Sequence, residues 1–449
     1  MKKVNAITAQ SFDFAKWYTD VVTKSGMAAY SNVRGCIYIP PYGTAVWDNF
    51  KSEFDARLRQ LGYLNVMFPL LMPKSLLQKE KDHISGFSPE VATIAGDDAD
   101  PLLIRPTSEA LFCDYFANNL QSYKELPLRL NQWANIVRME KNTRPFLRTT
   151  EFFWQEGHAL FATEAEARAE AQKMHKLYAE FAKDVLAIPM ISGQKTESEK
   201  FAGAVDTYTI EAMMADGQAL QSATSHYLGD GFMRAFGVRV SGKDNKDFYP
   251  HYVTFGLSTR LVGGMIMVHG DDNGLVLPPR IAPIQVVVIP IRGADVGSVK
   301  LPNLRVHVDN SDNSPGWKFS EWEMKGVPLR IEIGPRDLEA GEVTLSIRFS
   351  GEKRTLKISE LETAIPKLLD EIHNAMYEKA RQSLEGRIYD TASNKPGFLK
   401  APWCGAEICE TEVKKSKGLS SRCIIAQSKA KCISCAKTAK HEVIWGRAY

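Results

Sequence analysis

The sequence has no uninterrupted apolar run long enough to cross a bilayer. The longest candidate, the segment IAPIQVVVIPI from Ile281, falls short of the roughly 20 residues that a membrane-spanning helix requires. The N-terminal stretch lacks the apolar centre of a signal peptide, and its acidic residues argue against a transit peptide. These absences predict a cytoplasmic protein without a membrane partner.

The two commonest nucleotide-binding signatures are also missing. No segment matches the P-loop pattern, and no Rossmann glycine fingerprint follows a predicted strand. Any phosphate chemistry must therefore be organised by side chains that are placed in another way.

Cysteines are few and unevenly distributed. Of the seven, Cys36 and Cys113 stand alone, whereas five lie between Cys404 and Cys435. An odd total in a chain without an export signal argues against a disulfide framework and favours a metal site.

The cysteine-rich tail has enough thiols for a closed metal site. Two close pairs, with spacings C-x4-C and C-x2-C, would supply four thiolates to a tetrahedral structural zinc ion. The predicted ligands are Cys404, Cys409, Cys432 and Cys435. Cys423 and His441 are spare candidates, and free buried thiols are the alternative.

Charge and residue pattern divide the chain into three predicted domains, 1–280, 281–385 and 386–449. The last holds twelve Lys/Arg and five Asp/Glu, so it is basic while the remainder is acidic overall. Such a module is compatible with nucleic-acid contact, although basic charge is more often only a solvated surface. The first boundary follows the proline-rich turn at Pro278.

Secondary-structure signals are clear in several places. Thr163-x-x-Glu166 predicts a capping box at the start of an amphipathic helix, and Ser359-x-x-Glu362 predicts the start of another. Between residues 285 and 350 four β-rich runs, QVVVIPI, LRVHVD, VPLRIEIG and TLSIRF, predict a compact α/β domain.

The stretch RPFLRTTEFFWQEGH, residues 144–158, predicts a strand with an unusual face. Side chains of a strand alternate between its two faces. One face would therefore carry two charges, two large aromatics and an imidazole: Arg148, Thr150, Phe152, Trp154, Glu156 and His158. This mixture suits a ligand site, and the alternative is a strand with surface ion pairs and buried aromatics.

Three segments, in order, resemble the signature motifs of class II aminoacyl-tRNA synthetases. Gly62–Leu71, with its late Pro69, is similar to the first motif, a dimer-interface element. Residues 138–156 follow the second pattern, Arg-x-Glu, a loop, then Arg-x-x-x-Phe-x-x-x-Glu. Gly256–Arg260 and the glycines after it resemble the third motif, although the acidic residue often found before the arginine is absent.

More specific segments resemble prolyl-tRNA synthetases of the archaeal/eukaryotic-like type over nearly the whole chain. These segments are RPTSEA, FLRTTEFFWQEGH, ALQSATSHYLG, IEIGPRD and the cysteine-rich tail that ends in Tyr449. The resemblance implies an α+β catalytic domain (1–280) with an antiparallel sheet and flanking helices. It implies an α/β anticodon-binding domain (281–385) and a small zinc-binding C-terminal α/β domain (386–449).

The implied reaction joins L-proline to tRNA(Pro) in two steps, through a prolyl-adenylate. Because the attacking carboxylate is already ionised, catalysis depends on positioning and on charge stabilisation. By resemblance, Arg138 bridges the α-phosphate and the substrate carboxylate, Arg260 meets the terminal phosphate, and Phe152 stacks on adenine. With Mg²⁺, the implied ATP site comprises Arg138, Glu140, Arg148, Thr149, Phe152, Gln221, Thr224 and Arg260.

The amino-acid pocket implied by the resemblance pairs carboxylates with aromatic walls, as a secondary ammonium on a small apolar ring requires. Its residues are Thr107, Glu109, Arg138, Trp154, Glu156, His158, His226 and Ser258. Two alternatives remain open from the residues alone: Thr107 and Glu109 could cap a helix, and His226 could be structural.

In the α/β domain, the resemblance implies a surface that reads unstacked anticodon bases. The candidates are Glu332, Arg336, Asp337 and Lys353. The alternative is a glycine-proline turn with a local salt bridge.

The resemblance has further consequences for partners. It implies a homodimer through the first motif. Only 99 residues separate Glu156 from Gly256, where bacterial-type members carry a large editing domain. We therefore expect alanine to be misactivated and corrected by a separate trans-editing protein. The alternatives are a class II synthetase for threonine or serine, and a non-catalytic tRNA-binding protein.

Overall fold

The computed structural model describes residues 7–79, 91–96, 99–390 and 395–449. Its main element is an eleven-stranded sheet. From one edge to the other, the strands are Ile388–Tyr389, Phe398–Trp403, His441–Gly446, Ser420–Gln427, Ile191–Gln194, Asp206–Met213, Ala219–Gly229, His251–Ser258, Glu151–Phe161, Leu128–Val137 and Leu64–Asn65. Five of the longer strands, from Asp206–Met213 to Leu128–Val137, lie side by side, pair antiparallel and form the floor of the site described below.

One face of this sheet is covered by the helix Glu164–Leu186. The predicted capping box is confirmed, because Thr163 Oγ1 accepts from the Glu166 amide and the Glu166 carboxylate accepts from the Thr163 amide. Its apolar side, which includes Met174, Tyr178 and Phe181, is buried in the largest core cluster. Local sequence therefore determines both the start of this helix and the face that it buries.

Further helices and short strands surround the large sheet. The helices are Phe14–Lys24, Pro41–Gln60, Lys74–Gln78, Glu109–Asn119, Tyr123–Glu125 (3₁₀), Gly231–Phe236 and Arg260–His269. The strands are Ala29–Tyr30, Ile37–Tyr38, Leu71–Pro73, Ala92–Thr93, Leu102–Ile104, Val240–Ser241 and Asp247–Phe248. No described helix combines the length and the apolar character needed to cross a membrane.

The strand predicted over residues 144–158 begins later than expected. The Arg144 amide donates to the Arg148 carbonyl (2.7 Å) and the Arg148 amide to the Arg144 carbonyl (3.0 Å), which closes a turn. Phe146 has a φ of 61° there. Because a proline precedes this left-handed residue, the chain cannot continue as a ladder strand. Arg148 and Thr150 therefore lie outside the strand.

Residues 285–385 form a separate five-stranded sheet with its own buried core. Across the sheet, the strands are Val306–Val308, Val286–Pro290, Leu329–Ile333, Glu342–Ile347 and Lys353–Lys357. The first four strands match the predicted β-rich runs. The last strand, Lys353–Lys357, was not predicted, because it is mostly exposed and its sequence does not alternate between apolar and polar residues. The helices are Pro315–Met324, Pro335–Ala340, Ile358–Glu360 (3₁₀) and Leu361–Glu385.

The predicted helix start at Ser359 is wrong. Ser359 lies inside the 3₁₀ turn, Glu360 is the N-cap of the long helix, and no side chain caps that end. The turn supplies backbone hydrogen bonds that a capping side chain would otherwise provide. The buried apolar side of the helix agrees with the prediction.

The C-terminal residues extend the large sheet. Their strands join it where Ile424 pairs with Gln194, and the helix Glu407–Lys417 packs beside them. The amide of Tyr449 donates to the carbonyl of Ala219, so the chain ends against a strand of the site. The basic module is thus in direct contact with the sheet that forms the site.

Candidate active site

A cavity of about 250 Å³ lies over the antiparallel strands of the large sheet. All eight residues predicted to form the amino-acid pocket line it: Thr107, Glu109, Arg138, Trp154, Glu156, His158, His226 and Ser258. Five of the eight predicted ATP-site residues also line it: Arg138, Phe152, Gln221, Thr224 and Arg260. The structure thus brings distant segments of the sequence together at one place.

The strand Glu151–Phe161 supplies four lining side chains at alternate positions. Within this row, Glu156 is held by three donors or potential donors, Gln132 Nε2 at 2.7 Å, Ser108 Oγ at 2.7 Å and His158 Nε2 at 3.2 Å. A buried carboxylate with this many partners has a fixed orientation. Gln132 belongs to none of the predicted motifs, and Ser108 lies within the segment RPTSEA but was not predicted as a site residue.

His158 is fixed on its other side as well. Its Nδ1 lies 2.5 Å from the Tyr252 hydroxyl, and its ring stacks on Phe112 with the centroids 3.6 Å apart. Burial raises the pKa of Tyr252 far above its usual value, and the nearby Cys113 and Glu109 raise it further, so its phenol stays neutral. The imidazole is therefore held in one place at the end of the cavity.

Thr107 and Glu109 lie where the chain enters the helix Glu109–Asn119. The Thr107 hydroxyl donates to the Glu109 carboxylate. Ser108 is the N-cap residue, and it makes no side-chain capping bond because its hydroxyl reaches Glu156. Thr107 is therefore not a helix cap, and it remains available to line the cavity together with Glu109.

Arg138 follows the last residue of the strand Leu128–Val137. Its Nε donates to the Pro106 carbonyl at 3.0 Å, and its guanidinium lies 5.5 Å from the Phe152 ring and 5.6 Å from the Trp154 ring. Flat contacts of this kind orient the guanidinium, which lines the cavity between these two rings.

Arg260 begins the helix Arg260–His269 and donates from Nε to the Leu147 carbonyl at 3.0 Å. Burial, together with the positive charges of Arg148 and Arg138, lowers its pKa to about 10, although Glu140 and Glu211 act in the opposite direction. The side chain remains charged at neutral pH. The charges of Arg138 and Arg148 both act on Arg260, and such a concentration of positive charge attracts anions.

Glu140, Arg148 and Thr149 do not line the first cavity. Arg148 forms an ion pair with Glu140, with Nε 3.7 Å from Oε2, and both charges act on Arg260. Thr149 lines a second cavity of about 820 Å³ that shares Phe152 and Trp154 with the first. Glu140 and Arg148 are thus neighbours of the site, and Thr149 lies farther away.

The strand Ala219–Gly229 places Gln221, Thr224 and His226 along the cavity. His226 Nδ1 lies 3.0 Å from the hydroxyl of Thr207, which stands opposite it on the neighbouring strand. The sequence analysis missed four lining residues in this region: Lys195, Glu199, Phe201 and Thr207. They occur in a segment without a motif, so only the fold reveals them.

Two polar atoms of cavity-lining residues are buried without a hydrogen-bond partner in the described part of the chain. They are the indole Nε1 of Trp154 and the hydroxyl of Thr254. Buried polar groups in native proteins are almost always paired. Both atoms therefore favour a polar ligand in this cavity over a purely structural role.

The predicted anticodon residues lie on the second sheet. Glu332 accepts two hydrogen bonds from Arg330, at 2.8 and 3.1 Å, and lies 3.4 Å from Lys353 Nζ. Asp337 accepts from the Gly334 amide at 2.7 Å and so caps the helix Pro335–Ala340. Arg336 is exposed. Asp337 thus has a structural role at the start of this helix, and its part in anticodon recognition stays a prediction.

The four predicted metal ligands meet in the tail. The sulfur atoms of Cys404, Cys409, Cys432 and Cys435 all lie within 4.8 Å of one another, and Cys404 Sγ is 3.6 Å from Cys409 Sγ and 3.8 Å from Cys435 Sγ. Four thiolates about 2.3 Å from a tetrahedral zinc ion are about 3.8 Å apart. The cluster therefore fits zinc.

The spare candidates lie outside this cluster. Cys423 is buried, and burial raises its pKa to about 12. His441 packs against the Trp403 ring, with the centroids 5.8 Å apart. Neither residue belongs to the group of four sulfur atoms.

Comparison with protein families agrees with this architecture. Residues 92–269 match the class II tRNA synthetase core domain for Gly, His, Pro, Ser and Thr, and residues 285–368 match an anticodon-binding domain. Residues 387–449 match the C-terminal domain of prolyl-tRNA synthetase. The predicted fold class is thereby confirmed.

Relatives matched over their full length determine the family. The chain is 51% identical to the proline–tRNA ligases of Clostridium novyi and of Lachnospira eligens, over 100% of its own length and 99% of theirs. The chain belongs to the prolyl-tRNA synthetases. The resemblance inferred from the motifs is thereby confirmed. The synthetase is also similar to the Cryptosporidium parvum prolyl-tRNA synthetase solved with L-proline and AMP. That comparison gives a TM-score of 0.94 and 38% identity, and it covers 100% of this chain and 99% of that one.

A second Cryptosporidium parvum structure, complexed with halofuginone and AMPPNP, has a TM-score of 0.93 and 38% identity over 99% of this chain and 100% of that one. The alternatives of a threonine or serine enzyme and of a non-catalytic binding protein find no support among these relatives.

Proposed function

We propose that this synthetase attaches L-proline to tRNA(Pro) in two steps. The proline carboxylate attacks the α-phosphate of ATP, a C–O–P linkage forms, and pyrophosphate leaves. The 3′-terminal adenosine hydroxyl of the tRNA then attacks the carbonyl of the prolyl-adenylate, and AMP leaves. The observation that carries this proposal is the convergence of Arg138, Arg260 and Phe152 on a cavity whose other end holds Glu109 and His158.

The arginine-rich end of the cavity suits the triphosphate. Arg138 would bridge the α-phosphate and the proline carboxylate, where its fork of donors matches both groups. Arg260 would meet the terminal phosphate. These positive charges stabilise the negative charge that develops on the phosphate oxygens during the attack. No general base is needed. Mg²⁺ would accompany ATP and bind mainly its phosphate oxygens.

Adenine binding is proposed for Phe152, whose ring lies beside Arg138. Gln221 and Thr224 would complete the nucleotide site from the neighbouring strand. Glu140 would act through its ion pair with Arg148, which also contributes charge near Arg260. For Thr149 we propose only an indirect role, because it lines the second cavity.

The opposite end of the cavity suits proline. A secondary ammonium offers two N–H donors, and the Glu109 carboxylate with the Thr107 hydroxyl can accept them. Trp154 and His226 would pack on the ring, and Ser258 would close the pocket. Glu156 is engaged by three neighbours, so its proposed part is to orient His158 and Ser108.

Transfer to tRNA tests the whole proposal. Purified protein incubated with ATP, Mg²⁺, labelled proline and tRNA(Pro) should form acid-precipitable prolyl-tRNA. A tRNA with an altered anticodon should be charged more slowly if Glu332, Arg336, Asp337 and Lys353 contribute to its recognition. Absence of charging by protein that still forms the adenylate would separate the two steps and refute the second.

For the tail we propose a structural zinc ion held by its four cysteines. A site closed by four thiolates leaves no position for a substrate, so zinc would stabilise the module without entering the reaction. Cys432 suits this role, because partial burial opposes its ionisation but backbone N–H groups of Cys435 and Ser434 lower its pKa to about 7.

We also propose a homodimer through the first-motif segment. Leu64–Asn65 is the edge strand of the large sheet, and several apolar side chains beside it are exposed. They are Leu64, Met67, Leu70 and Leu71. A second copy would cover this edge and these side chains. Sedimentation that finds only a ~50 kDa species at micromolar concentration would refute it.

Two further assignments follow from the proposed reaction. We propose a cytoplasmic location, in agreement with a tRNA substrate. Alanine is smaller than proline and cannot be excluded sterically, so we propose a separate trans-editing protein as a partner.

A further inference from the structure

A buried group of ions joins the C-terminal module to the wall of the cavity. Glu211, on a strand of the large sheet, is completely buried. Its Oε2 accepts from Arg422 Nε at 3.1 Å and Nη2 at 3.0 Å, and its Oε1 accepts from Lys195 Nζ at 2.8 Å. Lys195 lines the cavity, whereas Arg422 belongs to the module.

The three charges depend on one another. The side chains of Lys195, Glu211 and Arg422 are 1%, 0% and 6% exposed, so water does not solvate them appreciably. The Thr209 hydroxyl adds a hydrogen bond to Glu211 at 3.0 Å. Removing one member of such a group leaves a buried charge without its partner, and the neighbours must rearrange. Arg422 thereby controls where Glu211 and Lys195 can lie.

A second contact from the module reaches the next residue. Thr196 Oγ1 donates to Glu410 Oε1 at 2.8 Å, and Glu410 is on the helix Glu407–Lys417. The Thr196 carbonyl accepts from the amides of Glu199 (3.1 Å) and Lys200 (3.0 Å), which forms the turn before Phe201. Glu199 and Phe201 both line the cavity.

Near Lys195 the backbone pairing between the module and the sheet is slight, although the last residues of the chain pair with Ala219 elsewhere. The strands Ser420–Gln427 and Ile191–Gln194 share one registered pair, Ile424 with Gln194, and the module strand is irregular on both sides of it. Side-chain contacts must therefore contribute strongly to the alignment of Lys195 with the sheet.

We propose that Arg422 is a positioning residue for the amino-acid end of the cavity. It acts through Glu211 on Lys195 and on the turn that follows, so proline binding depends on how the C-terminal module docks. This inference rests on the proposed function, because it assigns the Lys195 and Phe201 side of the cavity, next to His226, to the amino acid.

Steady-state pyrophosphate exchange tests the proposal. In Arg422→Met, the KM for proline should rise between about 10- and 100-fold, because small misplacements of a binding wall have effects of this size. The KM for ATP should rise less than the KM for proline, because Glu211 acts on Arg260 only through its charge. Arg422→Lys, which keeps the charge with fewer donors, should give a smaller rise. Lys400→Met is the matched control, since it breaks an ion pair of the same module, with Glu442 at 3.6 Å, away from the cavity.

The KM for proline distinguishes a misplaced binding wall from a smaller amount of folded enzyme. A smaller folded fraction lowers the maximal rate and leaves KM unchanged. Glu211→Gln should reproduce the rise, and adding Arg422→Met to it should have little further effect, because both residues act through one contact. If Arg422→Met does not fold, Arg422→Lys and the double variant carry the test.

Two results would overturn the proposal. One is a native KM for proline in the foldable Arg422 variants. The other is an Arg422→Met effect that is as large when Glu211→Gln is already present as it is in the wild-type chain. Wild-type protein without any proline-dependent exchange would instead refute the proposed function, so the two failures can be distinguished.

Discussion

Arg148 and Arg260 come from different motifs of the sequence, yet they lie within electrostatic range of each other. Burial and, next, the positive charge of Arg148 are the main causes that lower the pKa of Arg260 to about 10. The Glu140 carboxylate offsets part of this repulsion, and a further anion among the arginines would offset more of it. The placement of Arg148 near Arg260 therefore favours the binding of a phosphate chain.

Arg260→Met should lower the rate of ATP–pyrophosphate exchange by at least about 100-fold, as expected when a charge-stabilising group is removed. The exposed Arg239, which donates to the Tyr249 hydroxyl at 2.8 Å and does not line the cavity, offers a matched control as Arg239→Met. Exchange kinetics with varied ATP measure both. A near-native rate for Arg260→Met would exclude this residue from the nucleotide site.

The catalytic and anticodon domains should be separable by single substitutions. Arg138→Ala should abolish adenylate formation, because the proposed bridge between carboxylate and α-phosphate is lost. Arg336→Ala, at an exposed position of the second sheet domain, should leave exchange intact and weaken tRNA charging. If both substitutions lowered the rate of pyrophosphate exchange equally while the fold stayed intact, the assignment of these functions to separate domains would be contradicted.

Much of the site was predictable because its residues recur in fixed local patterns. Phe152, Trp154, Glu156 and His158 alternate along a strand, and that alternation brings them to one cavity. The tight turn at Phe146 was missed because β-branched and aromatic content does not reveal a positive φ.

Other features depend on contacts between distant residues. The position of Lys195 depends on its hydrogen bond to Glu211, which also accepts from Arg422. Arg422 lies more than 200 positions away along the chain, and no local sequence pattern encodes such a contact. The same holds for Gln132, which reaches Glu156 only because two strands pair in register. Only the three-dimensional structure shows that Lys195 and Gln132 contribute to the site.

The tail should bind one zinc ion per chain. Cys435→Ser should reduce the zinc content and lower the melting temperature by at least about 5 °C, because metal binding contributes directly to folding. Cys36→Ser is the control, since Cys36 is outside the cluster. Substoichiometric zinc in freshly purified wild-type protein would contradict the assignment.

Alanine should be activated and should not be removed in cis. The interval between Glu156 and Gly256 is described throughout, and it is occupied by the helix Glu164–Leu186 and by strands of the large sheet. Missing methylenes give discrimination of only ~10–200-fold. Pre-formed alanyl-tRNA(Pro) incubated with the enzyme should therefore decay at the spontaneous rate. Faster hydrolysis would reveal an editing site.

Acid should destabilise the enzyme partly through His269. Burial lowers the pKa of His269 to about 4, and its Nε2 lies 2.9 Å from the Leu186 carbonyl. An unfolded histidine has a pKa of about 6.5. The unfolded state thus binds more protons between about pH 6.5 and 4, and stability falls as the pH decreases through this range.

Melting temperatures measured from about pH 7.5 to 5 test this contribution. The decline should be shallower in His269→Gln than in wild type, whereas His307→Gln, at an exposed position, should follow wild type. A slope unchanged by His269→Gln would assign the acid sensitivity to other groups.

Amino-acid-dependent pyrophosphate exchange with each of the twenty amino acids tests the central claim most directly. Protein, ATP and Mg²⁺ are held constant, and only the amino acid varies. The proposed site predicts the highest kcat/KM with proline, a lower value with alanine, and no exchange above background with threonine or serine. Exchange that is strongest with another amino acid, or absent with proline, would contradict the account.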